Sequence, residues 1–255
     1  MFLVPLVQFA VCYLILVWLL KRKPGERFSK KAVAKFLLFG ALSAVACFLP
    51  GMVFSLERDS FFGLNPILSG FLTALITAAL LEETVKYIFF RLAIRKCDEV
   101  VCWLDVIIAA ISVSIGFTLL EDLTYLFDGS GTILRALLPG HLLFQAIMGY
   151  YYGKARVTKQ LRYDVLSLAV PILAHTLFDM FLIANLSIVG DAEAAAKMSE
   201  AEIRALPYAN YMVPLLVCAI AVFVLTFIAL IVTAVKINRW SKRGEKQELL
   251  QAENA

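Results

Sequence analysis

The sequence predicts an all-α, polytopic membrane protein with about seven transmembrane helices. Three observations carry the prediction. Of the 255 residues, 61% are hydrophobic and the mean hydropathy is +0.82, against about 45–50% apolar in a soluble domain. The apolar residues gather in stretches close to the ~20 residues a helix needs to cross a bilayer. Basic residues crowd every second connection, the asymmetry that marks cytoplasmic loops.

The spans read as about 2–20, 36–56, 67–90, 103–127, 132–153, 165–189 and 211–235. The first opens apolar at once and its basic cluster comes afterwards. A secretory signal has the reverse order, so residues 2–20 are expected to stay as a first span. Lys21, Arg22, Lys23, Arg27, Lys30, Lys31 and Lys35 follow it. Arg91, Arg95 and Lys96 follow the third span, and Lys154, Arg156, Lys159 and Arg162 the fifth. Lys236, Arg239, Lys242, Arg243 and Lys246 follow the last, while the other connections hold only Arg58, Lys197 and Arg204. This alternation places the N-terminus outside and the C-terminus in the cytoplasm.

No internal repeat is visible. Pro5, Pro139, Pro171 and Pro214 fall within or near span ends, where proline starts or kinks helices. The Ala-rich outer connection 191–211 has the composition of a short surface helix ending before Pro207. Residues 1–240 are therefore expected to form one transmembrane domain with its working helices at about 67–189, and 241–255 a polar cytoplasmic tail.

Several function classes drop out. No basic stripe with interleaved aromatics exists, which argues against a nucleic-acid partner. The five cysteines are odd in number and contain no CxxC, so neither a disulfide framework nor a thiolate zinc site is expected. A retinal-type pump needs a lysine deep in the last span, and span 7 has none before Lys236.

The informative residues are charges inside apolar runs. Each Asp, Lys or Arg near a helix centre costs about 2.5–3.5 kcal/mol on insertion scales. Spans 3 to 6 carry such residues and spans 1, 2 and 7 almost none, so the working centre is expected among the middle four. Span 3 contains LLEETVKYIFFR (80–91). Lys86 lies four residues after Glu82 and three after Glu83, so its stem passes between them. One Glu–Lys pair with a snorkelling lysine is a structural explanation for one carboxylate. Two adjacent carboxylates repel unless a proton, a cation or several donors intervene.

Span 4 reads SIGFTLLEDLTYLF (114–127), with Phe117, Glu121 and Tyr125 on one face and Asp122 beside them. The acids there also suit a plain outer helix end. Span 5 places His141 and Gln145 on one face, and span 6 places His175 and Asp179 four residues apart, one turn after Pro171. These are the only two histidines, and both fall mid-span. His175 and Asp179 fit a tautomer-locking hydrogen bond, two ligands of one metal, or a catalytic histidine with its orienting carboxylate.

A mixed His/carboxylate set fits a catalytic zinc site with one position open to water. Bound zinc brings the water pKa to about 7, and a second carboxylate moves protons. On simple helix counting Glu82 and Glu83 lie inward of mid-span and Glu121 outward. A shared site then needs tilted or broken helices, for which Gly116 and Pro139 are the candidates. A proton- or cation-coupled transporter would use the same buried acids and histidines, and a non-enzymatic chaperone or receptor could retain such a scaffold.

EETVK in span 3, the Phe117-to-Glu121 spacing with Tyr125, the lone His141, and HTLFD in span 6 resemble the PrsW family of bacterial intramembrane proteases. That family belongs with the CAAX prenyl endopeptidases in a broader group, and Glu121 stands where the broader group has a histidine. The resemblance covers roughly 67–185. It implies hydrolysis of a peptide bond within or beside the bacterial inner membrane. The substrate would be a single-pass, membrane-anchored protein, such as the anti-sigma factor cut first, on the outer side, in stress signalling. It makes Glu82 and Glu83 the paired catalytic glutamates, with Glu121, His141, His175 and Asp179 at the other motif positions. The expected division of labour has Glu83 or Glu82 as general base and Glu121, His175 and Asp179 as metal ligands or water positioners. His141 would bind metal or stabilise the oxyanion. A metal-free route with Glu and His activating water directly stays open.

Overall fold

The computed structural model describes residues 3–58, 64–128, 140–190 and 197–253, with side chains for all of these except 3–5, 49, 51–58, 124–128 and 245–253. Regular structure among the described residues is entirely helical. Helix α1 spans Leu3–Leu20 and α2 spans Lys30–Arg58. Helix α3 (Pro66–Thr73) runs through a π-helical segment (Ala74–Ala79) into α4 (Leu80–Ile94). Then come α5 (Trp103–Asp128), α6 (Gly140–Thr158), α7 (Leu161–Val189), α8 (Glu200–Ala205) and α9 (Met212–Glu253).

Five of these stretches are long and apolar enough to cross a membrane: Lys30–Phe48, Pro66–Ile94, Trp103–Leu123, Leu161–Val189 and Ala209–Gly244. Leu6–Leu20 of α1 is apolar but shorter. The expected span at 132–153 appears as α6, whose described part begins at Gly140. Pro139 and the rest of 129–139 lie outside the described residues. The surface helix expected before Pro207 is α8, started by a capping box between Ser199 and Glu202. Residues 191–196 of that connection lie outside the described residues. The polar stretch read as a tail after Ser241 continues α9 as far as Glu253.

Helix α5 is the central post. The α5 stretch is 83% buried inside the protein and the α9 stretch 17%. It carries nearly unbroken small and β-branched residues from Leu104 to Phe117, with α2 packed on one side and α6 on another. Lipid tails are as apolar as these side chains, so close packing rather than burial from water holds the bundle. Two glycines make the closest approach possible. A Cβ on Gly40 of α2 would collide with the Val113 carbonyl of α5, and one on Gly116 of α5 with the Leu37 carbonyl of α2. Gly116 is therefore a packing residue inside an unbroken helix, not the break proposed for it from sequence. Of the buried hydroxyls of α5, Ser112 Oγ turns back onto the helix's own backbone, donating to the Ile108 carbonyl at 2.8 Å.

One end of the bundle is tied by polar contacts. Lys23 Nζ pairs with buried Asp105 at 3.3 Å, and the same Asp105 oxygen accepts from the backbone N–H of Val101 and Cys102. Glu99 accepts from the Ser29 N–H at 2.6 Å and from Ser29 Oγ at 2.7 Å. These bonds favour the ionised carboxylate and hold Glu99 below the usual range.

Candidate active site

Glu82 and Glu83 occupy the first turn of α4, directly after the π-helical segment. A π turn admits about one extra residue, which re-aims the following helix. Leu80 N–H bonds back to the Leu75 carbonyl, five residues away, and Thr77 Oγ1 donates to the Thr73 carbonyl at 2.7 Å. This segment, and not Gly116, is the irregularity beside the glutamate pair. Gly70 of α3 brings that helix against α7, because a Cβ there would meet the Met180 carbonyl and Ala184. The tight α3–α7 contact sets the end of α4 beside His175.

Glu83 is fully buried and fully occupied. Its Oε1 accepts from Lys86 Nζ at 2.8 Å and faces His175 Nδ1 at 3.0 Å. Its Oε2 accepts from Gln145 Nε2 at 3.0 Å. Glu82 is 17% exposed; its Oε2 lies 3.2 Å from Lys86 Nζ and receives no well-directed hydrogen bond. Lys86 does not snorkel. Its side chain is fully buried, its stem passes between the two glutamates, and its ammonium sits 4.0 Å from the Phe117 ring centroid. Phe117 thus supplies a cation–π face, a role its four-residue spacing to Glu121 did not reveal.

The lysine also fixes the state of His141. An ammonium only donates, and Lys86 Nζ lies 2.9 Å from His141 Nδ1. Nδ1 therefore accepts, which leaves the proton on Nε2, and Nε2 donates to Glu121 Oε2 at 2.8 Å. His175 differs, because both of its ring nitrogens face carboxylates. Its Nδ1 faces Glu83, and its Nε2 faces Asp179 Oδ2 at 3.1 Å from the next turn of α7. Pro171, one turn before, removes the N–H that would have bonded the Ser167 carbonyl. Each histidine still turns Nδ1 inward and gives Nε2 to a carboxylate. The two rings are 5.2 Å apart, and Phe144 stacks on His175 at 4.8 Å.

One ligand atom each from Glu82, Glu83, His141 and His175 lies within 4.8 Å of the others. The six sequence-predicted residues therefore meet in one place, four at the centre and Glu121 and Asp179 behind the two histidines. Gln145 joins them through Glu83. Tyr87 does not: its hydroxyl turns away and donates to Asp164 Oδ1 at 2.8 Å. Asp122 is outside the converging set, and the Tyr125 side chain is not among the described ones. Sequence reasoning missed Phe144, although its place three residues after His141 was a usable signal. It also missed the π turn, for which ALITAA offers no sign.

Inward imidazole nitrogens whose outer nitrogens are held by carboxylates are the usual support of histidine ligands. Mixed with carboxylates, they suit zinc, and the weakly satisfied Glu82 Oε2 is a further available donor. The residues fit.

Comparison with known proteins agrees with the geometry. Residues 29–219 match the family described as PrsW family intramembrane metalloprotease. Protease PrsW of Geobacillus kaustophilus is 42% identical over 118 residues, 44% of this chain and 52% of the relative, so the match spans about half that protein's length. Protease PrsW of Halalkalibacterium halodurans is 35% identical over 178 residues, 67% of this chain and 78% of the relative. Protease PrsW of Bacillus subtilis is 35% identical over 122 residues, 45% of this chain and 56% of the relative. No solved structure matches.

Proposed function

Since the chain belongs to the PrsW family of intramembrane metalloproteases, and so is a multi-pass membrane protease, we propose that its Glu/His cluster cuts a single-pass, membrane-anchored protein in the bacterial inner membrane. The observation that carries this is the convergence of Glu82, Glu83, His141 and His175, from three helices, within 4.8 Å. An anti-sigma-factor-like substrate cut near the outer surface remains our expectation, by family. Counting α1 and α6 with the five longer helices supports seven crossings, and the basic alternate connections support an N-terminus outside.

Glu83, His141 Nδ1 and His175 Nδ1 would hold the metal, zinc by the chemistry of the donors, with Glu82 beside them. When bound, it supplies Lewis-acid polarisation and a water of lowered pKa. Glu121 and Asp179 then act as orienting carboxylates on the outer nitrogens, not as ligands. Lys86 already bonds the same carboxylates, so its ammonium would give up those bonds to a divalent cation.

The two glutamates divide the remaining work by their surroundings. Glu83 is committed to Lys86, His175 and Gln145 and serves as an anchor. Glu82 keeps an available oxygen, so it takes the proton of the attacking water at Oε2 and returns it to the leaving amine as the C–N bond breaks. The Lys86 charge stabilises the negative charge that builds on the carbonyl oxygen. Phe117 and Phe144 wall the site against bulk water. The substrate must unwind locally, because a helix shields its peptide carbonyls.

The test is co-expression with tagged single-pass proteins in a host lacking its own intramembrane proteases. Wild type yields a truncated product. Glu82→Gln, matched for folding, loses about 10²–10⁴-fold in rate, the usual range for a lost general base. Metal content by mass spectrometry accompanies it: near-stoichiometric zinc in wild type and its loss in His175→Ala are expected. Undiminished cleavage by Glu82→Gln would remove it as the base, and metal-free active wild type would remove the metal reading.

A further inference from the structure

At the far end of α4 lies a second, unrelated constellation. A cavity of about 470 Å³ opens between the end of α4 and the last turns of α6, lined by Arg91, Ile94, Arg95, Lys96, Tyr152 and Arg156 among others. Four lining side chains are cationic and none is acidic. Arg91 has one partial counter-charge, Asp164 at 3.9 Å. Among the described residues Arg95, Lys96 and Arg156 form no ion pair.

The arrangement is built, not a loose scatter of loop charges. The Arg91 guanidinium lies over both the Tyr87 and Tyr152 rings, 5.3 and 5.4 Å from their centroids, and donates to the Tyr87 hydroxyl at 3.0 Å. Lys35 Nζ donates to the Arg95 carbonyl at 3.1 Å. Arg95 leaves the helix in an extended conformation and Lys96 follows at φ 55°, so the chain turns back around the cavity. Charge asymmetry across the membrane explains basic residues in this connection. It does not explain four of them converging on one hollow, where like charges repel unless an anion sits among them.

We propose that this cavity binds a phosphate ester, the headgroup of an anionic phospholipid. Guanidinium forks match phosphate oxygens, and basic pockets between transmembrane helices take acidic headgroups. The cavity lies at the end of the membrane-crossing stretch Pro66–Ile94, the level of the headgroups. Beside it, Ile88 and Leu92 share a stripe of α4 and stay 49% and 42% exposed, an apolar track for acyl chains. A free phosphate ester would satisfy the cations without using that track.

The test is thermal unfolding of the detergent-purified protein with added phosphatidylglycerol, phosphatidylcholine or inorganic phosphate. Phosphatidylglycerol is expected to raise the midpoint by several degrees and phosphatidylcholine not to. The Arg95→Gln/Arg156→Gln double variant keeps the unliganded midpoint and needs at least tenfold more phosphatidylglycerol for half the shift. Arg95→Lys/Arg156→Lys keeps most of the response. Equal shifts from both lipids, or an undiminished response in the Gln variant, would overturn the site. An equal shift from inorganic phosphate at matched concentration would overturn the lipid as its occupant.

Discussion

Helix α4 carries two sets of charges that solve the same problem in opposite ways. The Glu82–Glu83–Lys86 set is enclosed, of mixed sign, and satisfied by groups from α5, α6 and α7. The Arg91–Arg95–Lys96 set, with Arg156, is open and of one sign. Glu83 and Arg91 are only about 12 Å apart along the axis at ~1.5 Å per residue. The difference teaches where a membrane protein must carry its own counter-charges. In the hydrocarbon interior the chain itself supplies every partner, because nothing else will. At the interface it can leave cations open, because water and headgroups are at hand.

Removing a charge from each set breaks the comparison most directly. Lys86→Met leaves buried Glu83 and half-buried Glu82 without their cation. Breaking a buried pair in this way costs about 3–5 kcal/mol, so the unfolding midpoint in metal-free detergent solution should fall sharply. Zinc should recover more of it in Lys86→Met than in wild type, since the variant has no ammonium to displace. Arg156→Gln, by contrast, should stay within about 0.5 kcal/mol, as surface substitutions usually do. Equal losses in the two variants would mean that Lys86 is not the counter-charge the geometry makes it.

A smaller effect tests the outer layer of the cluster. Asp179→Asn keeps the shape of the contact to His175 Nε2 but removes the charge behind it. Orienting carboxylates of this kind are worth about 10–100-fold in metal affinity, so zinc binding should weaken by that range with little change in folding. A complete loss of zinc in Asp179→Asn would instead make Asp179 a ligand, the role its spacing first suggested.

How much of this was legible in the sequence depended on the kind of residue. Charged groups in apolar runs are expensive, so Glu82, Glu83, Lys86, Glu121 and Asp179, with the two mid-span histidines, announced themselves. Periodicity then put His175 with Asp179 and His141 with Gln145 correctly. What stayed hidden is set by three-dimensional packing. The π segment has no residue signature, and the role of Gly116 was misread because a glycine that admits a neighbouring backbone looks like one that breaks a helix. The partition of six polar residues into four inner and two outer ones depends on which ring nitrogen faces inward, and spacing along a helix does not determine that. The cavity at Arg91 was legible only as loop charge, because Arg156 joins it from another helix.

Tyr87 stands on the border between the two sets, and the last prediction concerns it. It follows Glu83 by four residues, one turn along α4. Its hydroxyl donates to Asp164 at 2.8 Å and accepts from Arg91 at 3.0 Å, and its ring meets Tyr152 edge-on at 6.1 Å. Tyr87→Phe keeps the ring and removes both hydrogen bonds. The expected cost is about 1 kcal/mol of stability, the usual net value of a hydrogen bond. Cleavage should stay within twofold of wild type, and the phosphatidylglycerol response should weaken because Arg91 loses one of its supports. A large drop in cleavage from Tyr87→Phe alone would show that the interfacial cations and the buried cluster act as one unit, and the contrast drawn along α4 would then describe two ends of a single network.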